Sequence, residues 1–426
     1  MRFLYSMLLT LLLPVILVRL LWRSLRQRGY RENIAERFGS YRQAPLRGCI
    51  WIHAVSVGET RATEPLIRKL MALYPARPIL LTSMTPTGRA TAVELFGDSL
   101  TSAYLPYDLG SLHGRLIDRF EPAVLLVMET EIWPNLLHVC KTRSVPALIV
   151  NARLSERSAR GYMRFSPVRS LVHQALKEVS VVAAQSSADA ERFRALGAPR
   201  IAVTGNIKFD LTLNVDLVTM GRGWRTGLAN RQVLLCASTR EGEEALLLAA
   251  YREVFEVTER NTVLLVIVPR HPQRFDEVAG AVAEAGLSVV RRSESISDAA
   301  INAADALLGD SMGEMAAYLA FADIVIVAGS FLPLGGHNLI EACAAGKPVI
   351  MGPSTFNFSE AARLAEDQGA MAKVNDAVEA VRTAKRLLQD VAARKAMSDA
   401  GLKLVAANRG ATDRTVALVQ AALEGK

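Results

Sequence analysis

Between Cys49 and Val374, short β-branched apolar runs alternate with amphipathic helical stretches, and the alternation comes in two sets. The first set reads CIWIHAV, PILLTSM, SAYLPYD, AVLLVMET, ALIVNAR, SVVAAQS and IAVTGN. The second reads QVLLCAS, TVLLVIVPR, SVVRRS, DALLGD, DIVIVAG, PVIMGP and AMAKV. Segments between the runs, such as Thr63 to Leu73 and Ser166 to Leu176, carry helical periodicity. Strand–helix alternation with short turns predicts a parallel sheet covered by helices on both faces. The fold class is therefore α/β, with two Rossmann-like domains facing a cleft. A length of 426 residues suits two such domains. A weaker stretch, from about Phe209 to Asn230, separates the sets, and from Asp376 onward the chain reads as helix. The expected boundaries are an anchor with a basic segment at 1–30, a first domain at 31–210, a linker at 211–230 and a second domain at 231–426.

Residues Phe3 to Val18 are almost wholly apolar, and Leu20, Leu21 and Trp22 carry the run past Arg19. That is near the lower limit for a spanning helix, with Arg19 able to snorkel. Arg23, Arg26, Arg28 and Arg31 follow. A cleaved signal peptide would show a small-residue cleavage site there instead, and a core helix would keep a polar face. The segment is expected to be an uncleaved anchor, with everything after Arg19 in the cytoplasm and the basic stretch against anionic lipid.

The net charge of +8 admits nucleic acid, an anionic membrane or acidic small molecules as partners. There is no zinc-finger spacing, aromatic RNA-binding strand or long Lys run, so no nucleic-acid partner is expected. Cys49, Cys140, Cys236 and Cys343 lie far apart without a CxxC pair, which speaks against a disulfide framework or a zinc site.

Ligands of open α/β sheets bind beyond the carboxyl ends of the strands, so polar residues just after each run are the functional candidates. In HAVSVGE, Glu59 is either a carboxylate favoured by the dipole of its helix or a general base tuned by burial. In TSMTPTGRA, Thr85 or Thr87 can cap a helix with Pro86 in its first turn, and Arg89 either reaches the cleft or is a solvated helix arginine. METEIWPN ends a strand with Glu129 and Glu131, which share one face unless a turn separates them. At least one belongs in the cleft, and no His or Asp joins them to make a metal site. In TGNIKFD, Lys208 is either a surface lysine or a cation that neutralises a carboxylate or phosphate.

In the second half, VIVPRHPQRF places Arg270 to grip a phosphate oxygen, while His271 is a hydrogen-bonding group, a base or a ligand. GDSMGEM sets Gly313 at a helix start. AGSFLPLGGHNLIEACAAGKPVIMGP runs strand, Gly-rich turn, helix, strand. Gly335 and Gly336 permit close backbone approach, and the next helix is expected to offer unpaired N–H groups to an anion. Asn338 and Glu341 share one face, where a Glu can take two ribose hydroxyls. The absence of a full GxGxxG counts against a dinucleotide.

Taken together, these motifs resemble the bacterial 3-deoxy-D-manno-octulosonic acid (Kdo) transferase family of lipid A biosynthesis. The resemblance runs nearly end to end, through the anchor, HAVSVGE, TSMTPTGRA, METEIWPN, NARLSERS, TGNIKFD, PRHPQRF, GDSMGEM and GGHNLIEA. It implies a GT-B glycosyltransferase that moves Kdo from CMP-Kdo to a tetra-acylated lipid A precursor at the inner membrane, with inversion and release of CMP. It further implies Glu59 as catalytic base, and Glu131 and Lys208 as transition-state stabilisers. Arg270, His271, Met312, Gly313, Glu314, Asn338, Leu339, Ile340 and Glu341 then match CMP-contacting segments. Arg89 is an expected contact to Kdo or the acceptor, and neither a metal nor another cofactor is expected.

Two rival readings remain at this level. A sugar-nucleotide epimerase or hydrolase can use the same scaffold, because fold does not fix reaction. A membrane-tethered nucleotide-binding scaffold without chemistry would tolerate amides at Glu59 and Glu131.

Overall fold

The computed structural model describes residues 1–228, 230–294 and 297–425; the side chains of Arg26 and Arg28, part of the basic stretch, lie outside the described set. All fourteen apolar runs form strands. The first seven are β1 (Ile50–His53), β2 (Ile79–Ser83), β3 (Thr101–Tyr104), β4 (Val124–Met128), β5 (Ala147–Ala152), β6 (Val181–Ala184) and β7 (Ile201–Val203). They make one parallel sheet in the order β3-β2-β1-β4-β5-β6-β7. The second seven are β8 (Gln232–Thr239), β9 (Val263–Pro269), β10 (Val289–Arg291), β11 (Ala306–Leu308), β12 (Ile324–Val327), β13 (Val349–Met351) and β14 (Met371–Lys373). They form a second parallel sheet, β10-β11-β9-β8-β12-β13-β14.

Strand periodicity explains the cores. In β4, Leu125 and Val127 join the apolar cluster on one face, with Trp51, Leu136 and Phe193. Val124, Leu126 and Met128 join the cluster on the other face, with Ile52, Leu66 and Leu81. Each sheet has a reversal of strand order near its middle, at β1/β4 in the first and at β8/β12 in the second. Connections leave such a pair toward opposite faces, so a crevice opens at its carboxyl ends. Both candidate sites lie there.

Compact units divide the chain between Asp210 and Leu211 and again between Ala407 and Asn408, the second division falling inside the expected second domain. One unit comprises Met1–Asp210 and Asn408–Lys426, and the other Leu211–Ala407. The closing helix Ala411–Leu423 lays Ala411, Val416 and Val419 on the β1/β2/β4 side of the first sheet, which is why it belongs to that unit. The expected linker 211–230 contains a helix, Val215–Gly227, capped by the Asn214 side chain on the N–H groups of Asp216 and Leu217. It packs into the second unit, where Gly221 meets the Ala317 carbonyl and Trp224 lies tilted against Tyr318 and edge-on to Phe321.

The N-terminal helix Arg2–Arg26 carries a 24-residue stretch long and apolar enough to cross a membrane. Only 6% of its most apolar window is buried, which removes the core-helix reading. Ser6 and Asn135 exchange hydrogen bonds of 3.1 and 2.9 Å, tying this helix to Pro134–Thr142. All four cysteines are free and buried, and burial pushes each thiol up to about 12, away from thiolate chemistry.

Candidate active site

The first crevice is lined by carboxylates. Helix Val57–Leu73 opens directly after β1, with Glu59 in its first turn. The Val55 N–H donates to Glu59 Oε2 at 2.8 Å and the Ser56 hydroxyl donates to Oε1 at 3.1 Å. These bonds favour the carboxylate, yet burial outweighs them, and Glu129 and Glu131 add like charge. The Glu59 pKa is pushed up to about 7. Glu131 also lies above the usual carboxylate range, through burial first and Glu129 next, against the opposing indole of Trp133. Lys208 places its ammonium 3.0 Å from Glu129 Oε1. The structure thus brings Glu59, Glu131 and Lys208 together, with the Lys208 ammonium paired to Glu129. A turn separates the two glutamates, because Glu129 has φ +55°.

Behind this cluster, His53 ends β1 with Nδ1 3.0 Å from Thr82 Oγ1 and its ring edge-on to Trp133. Full burial lowers its pKa to about 3, so it stays neutral.

Arg89 has a different place from the one expected. It does start the helix Pro86–Phe96, capped by Thr85 on the Gly88 N–H at 3.1 Å. Its guanidinium, however, reaches Glu36 at 2.7 Å and the Ser102 carbonyl at 3.2 Å. Glu36 is 4% exposed and also accepts from the Tyr104 N–H and from Gln43. The sequence offered no partner for Arg89 because Glu36 lies 53 residues earlier. Removing one member of a buried pair strands the other charge. Arg89→Met is therefore expected to lower unfolding stability by about 3 kcal/mol in denaturant titration, where a solvated arginine would change it by less than about 1 kcal/mol.

The second unit gathers cations. Arg240 follows β8, Arg270 and His271 follow β9, and His337 follows β12. Burial and the guanidinium groups of Arg240, Arg270 and Arg274 hold His271 below its ordinary pKa. Burial first, then Arg270, Arg240 and His271, lower His337 to about 4. Arg274 is committed to Glu244 at 2.7 Å and Glu277 at 2.8 Å. The charge field of this crevice suits an anion. His337 lies against Gly329, where a Cβ would come 2.7 Å from its ring and φ is +71°, so only glycine fits.

The glycine-rich turn differs from expectation. The Gly336 N–H donates to the Gly329 carbonyl at 2.7 Å and the Gly335 N–H to Ser354 Oγ at 2.9 Å. The Ile340 N–H is taken by Asn338 Oδ1 at 3.1 Å, and the helix Ile340–Ala344 is a single short turn. These amides hold the loop's own shape. Asn338 and Glu341 do share a face, joined at 2.9 Å. Leu339 and Ile340 are buried in the core, so only their backbone can meet a ligand. Met312 is 58% exposed, Gly313 has open space at φ +81°, and Glu314 pairs with Arg292 at 3.1 Å.

Comparison with known proteins decides the family. The family described as 3-Deoxy-D-manno-octulosonic-acid transferase (kdotransferase) matches residues 32–211, and glycosyl transferases group 1 match 264–404. The 3-deoxy-D-manno-octulosonic acid transferase of Bordetella pertussis is 42% identical over 97% of this chain and 98% of that one. The chain belongs to the Kdo transferase family. The enzyme of that name from Haemophilus influenzae is 37% identical over 99% of both chains. A UDP-GlcNAc 2-epimerase from Neisseria meningitidis, solved with UDP-GlcNAc, covers 87% of this chain and 99% of its own at 14% identity and TM-score 0.59, a likeness of fold. The two parallel seven-stranded sheets are those of a GT-B glycosyltransferase.

Sequence spacing hid two parts of the candidate site. Glu243, fully buried, accepts the N–H groups of Gly329 at 2.7 Å, Arg240 at 3.0 Å and Phe331 at 3.0 Å, and so ties the β8 loop to the β12 loop. The signal was the acidic REGEE directly after β8. Asn151 was the other: its Oδ1 accepts the Ile207 N–H at 3.1 Å and holds the turn that carries Lys208.

Proposed function

We propose that the chain transfers Kdo from CMP-Kdo to a tetra-acylated lipid A precursor, with inversion and release of CMP. Its N-terminal helix anchors it in the inner membrane, with both units on the cytoplasmic side. Membership of the family supports this donor and acceptor, and one observation carries the mechanism: Glu59 sits at the β1/β4 reversal with a pKa of about 7. A carboxylate so poised is matched to a general base at neutral pH.

The acceptor hydroxyl gives its proton to Glu59 as its oxygen bonds the anomeric carbon of Kdo. The bond from that carbon to the CMP phosphate oxygen breaks, and the electron pair leaves with CMP. Inversion requires the base opposite the leaving group. Arg240 and Arg270 supply charge for the departing phosphate, and the Met312–Glu314 and Asn338–Glu341 segments hold the nucleoside. Lys208 and Glu131 act where charge develops. A monophosphate leaving group carries fewer charges than a diphosphate, so the reading needs no metal.

The test is incubation of the purified full chain in detergent with CMP-Kdo and lipid A precursor, with and without EDTA, read by mass spectrometry. The expected result is acceptor gaining Kdo, unaffected by EDTA. Consumption of CMP-Kdo at the same rate without lipid would instead establish a hydrolase or epimerase.

A further inference from the structure

Strands β10 and β11 end side by side in the second sheet, and the residues just past them are bonded to one another. Arg291 reaches Asp310 at 2.7 Å, and Asp310 also accepts the Ser293 N–H at 2.7 Å. Arg292 takes a different set of partners. Its Nη2 donates to Glu314 Oε1 at 3.1 Å and lies 3.9 Å from Met220 Sδ. Its guanidinium carbon lies 4.9 Å from the centre of a Trp224 ring. Its Nε is buried with no hydrogen-bond partner among the described residues. The Trp224 face and the Glu314 carboxylate therefore set the orientation of this guanidinium. Trp224 is itself held by Tyr318 and Phe321, and the adjacent Arg225 pairs with Asp323 at 3.2 Å.

We propose that Arg292 and Trp224 are positioning residues for the donor nucleotide: the indole fixes the guanidinium, the guanidinium fixes the Glu314 carboxylate, and the carboxylate fixes the Met312–Glu314 turn that takes CMP. This rests on that turn meeting CMP. Both Glu314 oxygens are engaged inside the unit, Oε1 by Arg292 and Oε2 by the Ser311 hydroxyl. What the turn leaves open to a ligand is the exposed Met312 side chain and the uncrowded backbone at Gly313. Removing the guanidinium loosens the turn and leaves an uncompensated carboxylate beside a site for an anion, which it repels. The helix Val215–Gly227, a linker by its sequence, thus supplies part of the donor site through Trp224.

The test is calorimetric titration of the full chain in detergent with CMP, together with kinetics on CMP-Kdo. R292M should weaken CMP binding by about 10-fold, the factor that goes with one hydrogen bond to a charged group. The change should fall on KM for CMP-Kdo rather than on kcat, a split that a purely structural role would not produce. W224L should weaken CMP binding in the same way, and W224F, which keeps an aromatic face under the cation, should restore most of it. E314Q and R292M disturb the same bond, so the double variant should bind CMP no more weakly than the worse single one. Methionine keeps an apolar stem against the indole, so R292M covers any instability of W224L. Parental CMP affinity in R292M, W224F binding no better than W224L, or losses that multiply in the double variant would overturn the proposal. The underlying reading fails separately: a parent chain that takes up no CMP removes the nucleotide site, whatever the variants do.

Discussion

Replacing Glu59 by glutamine is expected to lower kcat by about 10²- to 10⁴-fold, the usual contribution of a general base, while the protein becomes more stable above neutral pH. Glutamine keeps the local bonds: its oxygen can accept the Val55 N–H, and its amide can donate to Ser56, whose hydroxyl rotates to accept. It loses the charge that burial opposes. The folded pKa of about 7 is raised above the ordinary 4.5, so the parent's Glu59 contributes its full stability below about pH 4.5. That contribution is lost as pH rises through 7. The variant escapes the loss, so it should gain about 1–3 kcal/mol over the parent at pH 8 and nothing at pH 4. The parent's kcat should climb as Glu59 ionises and level off above about pH 7. Denaturant titrations at the two pH values and a pH–rate profile check both halves. An equal stability difference at pH 4 and pH 8 would detach the activity loss from the ionisation of Glu59.

The strands were legible because parallel strands buried on both faces leave an apolar run that little else imitates, and all fourteen runs found their place. Glu59, Glu131 and Lys208 were legible as strand-end polar residues, since a polar residue in that position faces a crevice rather than a core. Interactions across long separations were not. The Arg89–Glu36 pair spans 53 residues and the Glu129–Lys208 pair 79. Sequence spacing says nothing about either. The return of Ala411–Leu423 to the first sheet was invisible for a related reason: an amphipathic helix shows that it packs, not against which sheet. The N–H groups expected free at the start of the next helix were misread because a glycine-rich turn looks the same whether the amides after it serve a ligand or the loop itself, as the Ile340 N–H serves Asn338.

Glu243→Ala is expected to cost the second unit about 3–5 kcal/mol, a large part of the 5–15 kcal/mol that holds a typical domain together. The carboxylate is fully buried and accepts three backbone N–H groups from two loops that meet at the β8/β12 reversal. Alanine leaves all three donors without an acceptor, and water has poor access to replace it. Glutamine should fall between alanine and the parent. Its single oxygen can still accept Gly329 and Arg240, but its amide then faces the Phe331 N–H donor to donor. Arg240 and His337 ride on these same loops, so slackening them scatters the cations that would receive the donor phosphate. Hydrogen exchange at the Gly329 and Phe331 amides should therefore accelerate in both variants while amides of the first sheet keep their protection. Apparent donor affinity should fall in the order parent, Gln, Ala. Unchanged exchange at those two amides in the alanine variant would mean that the loops hold each other without the carboxylate, and the cation field would then need another organiser.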